Sequence, residues 1–205
     1  IPFGAVENLK NWIELIDIDR DGDIDVRWVE GDVQARTGGV TRAYPRALRV
    51  PMGMLVAEAA IAAGDTEQSA RYVEALKFDG PNPAQKSRLA LIEGRLAELG
   101  GDFDSAVARW EEAESGTHRP SQAKAAVART ELLLKLAKIT PGEAIEELEK
   151  LRFAWRGDEF EFALLRRLGR LYMDEGDYRR GLRTLRQAAT HFRKHEKAPE
   201  VTQEM

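Results

Sequence analysis

From residue 51 onward, apolar positions recur every three or four residues and are interrupted by short polar breaks. This spacing places apolar side chains along one face of an α-helix. Ala, Leu, Glu and Arg, which favour helices, dominate the same stretch. The pattern predicts an all-α fold in which residues 51–192 form about four antiparallel helix pairs.

The breaks in this pattern repeat. In "LAELGGDFDSAVARW" and "LYMDEGDYRRGLRTL", an apolar helix is followed by Gly-Asp, an aromatic residue and a second helix. Small residues at fixed distances from these breaks allow two helices to cross closely, and large apolar residues fill the space between them. The small residues are Gly94, Ala106, Gly169 and Gly181. The large side chains that we expect to be buried are Trp110, Tyr172, Tyr178 and Leu185.

The segment "LGRLYMDEGDYRRGLRTLRQAA", residues 168–189, resembles the tetratricopeptide repeat (TPR). Residues 52–76 and 121–151 resemble it less closely, and "TPGEAIEELEKL" in the latter starts with a predicted capping box of Thr140 and Glu143. The resemblance implies a TPR-like α-solenoid over residues 51–205, preceded by a small non-repeat cap, residues 1–50. More loosely, the chain looks like a segment of a large bacterial envelope-associated protein, which favours the periplasm.

A TPR array carries a groove along the first helix of each pair, and the resemblance maps this groove onto six residues. They are Arg88, Leu91, Arg95, Arg129, Arg166 and Arg170. A guanidinium group can bind a carboxylate through two parallel hydrogen bonds, so such a groove suits a protein partner or an acidic peptide. Alternatively, the arginines pair with acids on neighbouring helices. The function that the resemblance implies is a non-enzymatic scaffold or adaptor.

The segment "IDIDRDGDIDV", residues 16–26, has aspartates at every second position around one glycine. Aligned with an EF-hand calcium loop, the candidate metal ligands are Asp17, Asp19, Asp21 and Asp23. The preceding "VENLKNWIELI" would be its entering helix. The twelfth position, where a bidentate glutamate is required, is Trp28, so calcium would bind weakly, with a dissociation constant on the order of 10⁻⁴ to 10⁻³ M.

The same segment also fits a β-hairpin. The four residues 19–22 suit a type I turn with the glycine in the left-handed position. That arrangement would pair Ile16 with Val26 and Asp17 with Asp25, leaving an apolar face and a repulsive acidic face. A calcium ion is therefore the one cofactor that the sequence leaves open, and a calcium-responsive binding module is an alternative function.

Composition narrows the other possibilities. The chain has 205 residues and a net charge of −4. It has no cysteine, which excludes disulfides and thiolate chemistry. No nucleotide-binding loop, catalytic motif or membrane-spanning run is present, and we expect no nucleic-acid partner and no direct membrane insertion. The N-terminal residues 1–32 are acidic and residues 166–194 are basic, so a self-assembling structural segment is a further alternative. Because the chain starts with Ile-Pro, we expect it to be part of a larger protein.

Overall fold

In the computed structural model, the described residues are 12–16, 25–29, 45–152 and 159–205. Their contacts divide the chain into two compact units, residues 1–106 and residues 107–205. The ranges 45–152 and 159–205 contain helices and turns, which confirms the predicted all-α character of this part of the chain. The helical part begins at Arg46, five residues before the predicted start, with Pro51 inside the first helix.

Nine helices lie in the described part of the chain. They are α1 (Arg46–Ala62), α2 (Thr66–Phe78), α3 (Pro83–Leu99), α4 (Phe103–Glu114), α5 (Arg119–Lys135), α6 (Pro141–Leu151), α7 (Glu159–Asp174), α8 (Tyr178–His191) and α9 (Ala198–Gln203). In the first unit, α1, α2 and α3 pack against one another. In the second unit, each helix from α5 to α9 packs against the next one along the chain.

Two short strands precede the helices: β1 (Trp12–Ile16) and β2 (Asp25–Val29). They pair antiparallel, as the hairpin interpretation requires, but the predicted register is wrong by one residue. Ile16 is opposite Asp25, and Leu15 is opposite Val26. The observed register also makes Glu14 and Arg27 partners.

The strand β1 shows that the predicted EF-hand entering helix, residues 6–16, is wrong over residues 12–16; residues 6–11 lie outside the described residues. Its sequence, Trp-Ile-Glu-Leu-Ile, is rich in aromatic and β-branched residues, which favour a strand over a helix. The four candidate metal ligands, Asp17, Asp19, Asp21 and Asp23, lie outside the described residues.

The first helix of each pair ends in the same turn. Gly64 and Gly101 in the first unit, and Gly176 in the second, have positive φ angles between 79° and 81°. At Gly64, the backbone N–H donates to the Ile61 carbonyl, and the next N–H donates to the Ala60 carbonyl. These two hydrogen bonds define a Schellman motif, which satisfies carbonyl groups that the helix end would leave unpaired.

The third pair makes the same turn without a glycine. Ala137 has a φ angle of 53° and is the one non-glycine residue with positive φ among the described residues. Its N–H donates to the Leu134 carbonyl, and the N–H of Lys138 donates to the Leu133 carbonyl. The sequence predicted no turn of this type between α5 and α6, because its usual signal, a glycine, is missing.

Replacing Ala137 with glycine should stabilise the protein by about 1 kcal/mol. The methyl group of Ala137 makes the left-handed conformation costly, whereas glycine adopts it freely. This gain outweighs the greater freedom of glycine in the unfolded chain. Chemical denaturation monitored by circular dichroism would measure the change. The matched control is Gly176→Ala, at a φ angle of 81° with open space around the added Cβ, which should destabilise by a similar amount. A destabilising Ala137→Gly would contradict the argument.

The second helices start with side-chain caps. Asp65 accepts a hydrogen bond from the backbone N–H of Gln68 at 2.9 Å, and Asp177 accepts one from the N–H of Arg180 at 3.0 Å. The predicted capping box at α6 is confirmed, because Thr140 and Glu143 each accept a hydrogen bond from the other's backbone N–H. Such a cap stabilises a helix by about 1 kcal/mol, so these residues fix where the second helices begin.

Three of the four large side chains predicted to be buried are buried: Trp110 is 0% exposed, Leu185 1% and Tyr172 7%. The prediction for Tyr178 is wrong, since it is 61% exposed. Tyr178 is the first residue of α8, and the buried stripe of that helix begins one turn later at Gly181. Because Tyr178 lies at the end of its helix, the neighbouring helix does not cover it, although its spacing matches the buried stripe.

Helices α7 and α8 approach closely at two glycines. A Cβ atom added at Gly169 would lie 2.6 Å from Cγ of Leu185, and one added at Gly181 would lie 2.7 Å from Sδ of Met173. The carbonyl oxygen of Gly169 is itself only 3.0 Å from the position of a Cβ on Gly181. The predicted role of these two small residues, to allow a close helix crossing, is therefore observed.

Candidate functional site

The predicted groove residues of the first unit lie on α3. Arg88 reaches back to α1, where its Nε and Nη2 atoms donate to the two carboxylate oxygens of Glu58 at 3.1 and 2.9 Å. The Arg88 side chain is only 17% exposed. This is a two-point pairing between planar groups, and it connects the first helices of two successive pairs. Arg88 therefore acts as a link within the first unit.

The two other predicted residues of α3 differ from Arg88 in their surroundings. Leu91 is half-buried, and Arg95 is exposed and forms an ion pair with Glu98 on its own helix. An ion pair within one helix turn contributes little to stability when one partner is about half exposed, as Arg95 is, because water screens the attraction. Arg95 is consequently the most accessible of the three predicted residues on α3.

Arg129, on α5, is paired with Glu114 at the end of α4. Its Nε and Nη2 atoms donate to the two carboxylate oxygens at 2.6 and 3.1 Å. These hydrogen bonds raise the pKa of Arg129 above its ordinary value, although burial opposes the shift. The arrangement matches the alternative expectation for the groove arginines, pairing with acids on neighbouring helices.

A further arginine, which the sequence did not single out, makes the same kind of link. Arg167 on α7 donates from Nε and Nη2 to the carboxylate oxygens of Glu131 on α5, at 2.5 and 2.7 Å. The hydrogen bonds with Glu131 raise the pKa of Arg167. Arg167 and Arg88 therefore have equivalent roles, each one binding a glutamate on the first helix of the preceding pair.

The sequence signal for these links is the position of the two glutamates relative to the turns, not the position of the arginines that bind them. Counting back six residues from each left-handed turn residue gives an alternation of acid and base along the chain. The four residues are Glu58, Arg95, Glu131 and Arg170. The two glutamates accept the links from Arg88 and Arg167. The third turn has Ala137 in place of a glycine. The glycines in the sequence therefore do not locate all four turns, and the alternation is not evident from them.

The last two predicted residues, Arg166 and Arg170, lie one turn apart on α7 and share one carboxylate. Nε of Arg166 donates to Oε1 of Glu204 at 3.0 Å, and Nε of Arg170 donates to Oε2 of Glu204 at 3.0 Å. Nη2 of Arg166 also donates to Glu200 at 2.8 Å. We call Arg166 and Arg170 the α7 arginine pair. Among the described residues, this is the one place where two predicted site residues bind the same carboxylate group.

The carboxyl group of Glu204 is held strongly in its charged form. Burial by itself would raise its pKa, but the hydrogen bonds from Arg170 and Arg166 outweigh burial and lower the pKa of Glu204 to about 2, from an ordinary value of 4.5. The hydrogen bonds with Glu204 correspondingly raise the pKa of Arg166. The α7 arginine pair is thus electrostatically suited to a carboxylate.

The segment that carries these glutamates is held in place by apolar contacts as well. Val201 of α9 is fully buried in a cluster with Phe162 and Leu165 of α7 and with Leu185 of α8. Just before α9, His195 stacks on the ring of Phe162 with centroids 3.8 Å apart. The sequence predicted no element after residue 192. The available signals were Pro199 near the helix start and two apolar residues three apart, which are weak because α9 is only six residues long.

The histidines have structural roles. His118 accepts a hydrogen bond from the backbone N–H of Ser121 and so caps α5, and His195 faces Glu159 through Nε2. Within residues 45–152 and 159–205, no group of three or more acidic or histidine side chains is placed to hold a metal ion. No described helix is long and apolar enough to cross a membrane.

The chain was compared with known proteins at the levels of sequence and structure. It matches no protein-family model, no curated protein and no solved structure.

Proposed function

We propose that this protein is a non-enzymatic scaffold that binds an acidic peptide, or an acidic segment of a protein partner, along the first helices of its helix pairs. The single observation that carries the proposal is the α7 arginine pair, because its two guanidinium groups bind carboxylates that lie 30 or more residues away along the chain. A surface that binds carboxylates of its own chain has the geometry and charge to bind those of another.

The predicted groove residues are not equivalent in this proposal. Arg88 and Arg129 are committed to glutamates on well-packed helices and would serve to hold the helix pairs together. The α7 arginine pair, with Arg170 about half exposed, is the part that contacts the partner. Arg95, which is similarly exposed on α3, is the candidate contact in the first unit.

The proposed architecture behind this function is a TPR-like array. It is supported by four successive helix pairs with the same left-handed turn and by small residues at equivalent positions of the second helices. Ala106 and Ala144 are fully buried, and Gly181 is buried as well. An array of this kind presents its first helices along one surface, which is how repeat proteins bind extended or helical segments of partners.

Reversing the charge of the α7 arginine pair should abolish binding of an acidic peptide. The probe is a fluorescein-labelled peptide of residues 197–205, added to the full chain at low ionic strength, with affinity measured by fluorescence anisotropy. The double variant Arg166→Glu/Arg170→Glu should lose at least tenfold in affinity, since two attractive contacts become repulsive.

The control for this experiment changes the same number of charges elsewhere on the second unit. Arg179 and Arg183 are exposed on α8, and Arg179→Glu/Arg183→Glu should leave the affinity within about threefold, because only long-range screened attraction is lost. Circular dichroism checks that both variants stay folded. Equal losses in the two double variants would contradict a specific site on α7.

A further inference from the structure

The α7 arginine pair and the C-terminal segment have matching geometry. Arg166 and Arg170 are separated by four residues on α7, and Glu200 and Glu204 are separated by four residues at α9. Residues four apart on a helix lie on the same face. Two helical segments therefore present complementary charges at the same spacing, and Glu204 lies close enough to bind both arginines.

We propose that α9 is a built-in competitor for this surface, and that the partner is an acidic helix with the same pattern. This inference rests on the proposed function. The pattern is two glutamates four residues apart, with an apolar residue directly after the first, as in Glu200, Val201 and Glu204. The apolar residue enters the cluster that buries Val201, and the two glutamates contact the arginines. The partner binds by displacing α9.

The small size of α9 makes this displacement feasible. It has six residues and buries two of them, Ala198 and Val201. A helix this short has no stability of its own in water, so it stays folded only while it is docked. Glu200 is 55% exposed even in the docked state. A longer partner helix would make the same contacts. It would lose less conformational entropy for each contact when it binds.

The glutamates of the other arginine links are harder to displace than those of the α9 segment. Glu58 and Glu131 belong to α1 and α5, helices of 17 residues each that bury apolar side chains such as Met54 and Leu132. Removing either helix to free its glutamate would disrupt the apolar packing of its unit. The segment with Glu200 and Glu204 is the one arginine-bound acidic segment, among the links between helices described above, that can leave without loss of a core helix.

The experiment measures binding of the labelled peptide of residues 197–205 to three forms of the full chain. These are the wild type, the isosteric variant Glu200→Gln/Glu204→Gln, and the control Glu196→Gln, which removes an exposed charge from the same segment. We expect the double variant to bind at least tenfold more tightly than the wild type, because freeing the occupied surface raises the fraction of competent molecules. The control should match the wild type.

A second variant covers the case in which Val201 alone keeps α9 docked. Adding Val201→Ser to the double variant removes the apolar contact, and hydrogen exchange of residues 198–204 shows whether the segment has been released. Tighter binding in either released form supports the proposal. Equal binding by the wild type and both released forms would overturn the competitor role and leave the proposed function standing. Absence of binding in every form would overturn the proposed function itself.

Discussion

Replacing Trp110 with alanine should lower the free energy of unfolding by about 3–5 kcal/mol. Trp110 is the largest fully buried side chain among the described residues, with an exposed fraction of 0%. The substitution removes the apolar transfer energy of the indole and leaves a cavity that the surrounding helices can close only in part. Urea denaturation monitored by circular dichroism would measure the loss without relying on tryptophan fluorescence.

The control for this substitution is an aromatic residue that the repeat pattern also predicted to be buried. Tyr178 is 61% exposed, so Tyr178→Ala should change the free energy of unfolding by less than about 0.5 kcal/mol, as at most surface positions. Together, the two variants check the helix packing directly. A loss below about 1 kcal/mol for Trp110→Ala would mean that the indole is on the surface.

Replacing Gly169 with valine should destabilise the protein by about 3 kcal/mol, the upper part of the range for overpacked cores. The added Cβ would lie 2.6 and 2.7 Å from the Cγ and Cδ2 atoms of Leu185 and 3.3 Å from its backbone nitrogen. Leu185 is itself buried and has no free space to move into, so α7 and α8 would have to separate. The separation would loosen the apolar cluster that includes Phe162 and Val201.

The matched control is Gly100→Val. Gly100 has ordinary helical backbone angles, and the nearest atoms to an added Cβ are two backbone oxygens at 3.5 Å, an ordinary contact distance. Valine there should change the free energy of unfolding by less than about 1 kcal/mol, because removing a glycine also restricts the unfolded chain. Similar effects at Gly100 and Gly169 would show that the crossing of α7 and α8 is not as close as described.

The arginines of the first helices fall into two groups by their surroundings. Arg88, Arg129 and Arg167 are partly buried and bind glutamates on other helices through two hydrogen bonds each. Such partly buried pairs connect one helix to another, and breaking one leaves an unpaired charge that is only partly solvated. Arg170 is more exposed, and the segment that it binds is short. The proposed binding surface is therefore concentrated on α7, whereas the sequence prediction distributed it over α3, α5 and α7.

The sequence by itself determined the features that depend on neighbouring residues. The capping box of Thr140 and Glu143, the glycine turns after α1, α3 and α7, and the periodicity of the helices all follow from interactions within about five residues. The burial of Trp110 and Leu185 could also be predicted. Each lies near the centre of an amphipathic helix, on the one apolar face that the helix can bury. These interactions are local, and the linear order of residues is enough to recognise them.

Only the tertiary structure decided which charges pair and which helix ends are covered. Arg88 and Arg167 bind glutamates 30 and 36 residues away, and the choice of partner depends on how each helix is rotated about its axis. Ala137 adopts a strained turn that its sequence does not favour, because the flanking helices must reverse direction there. The α9 segment, too short to form by itself, is folded by the arginines and the apolar cluster that it contacts. Periodicity shows which side chains face inward, but pairing between distant residues depends on distances that only the packed helices establish.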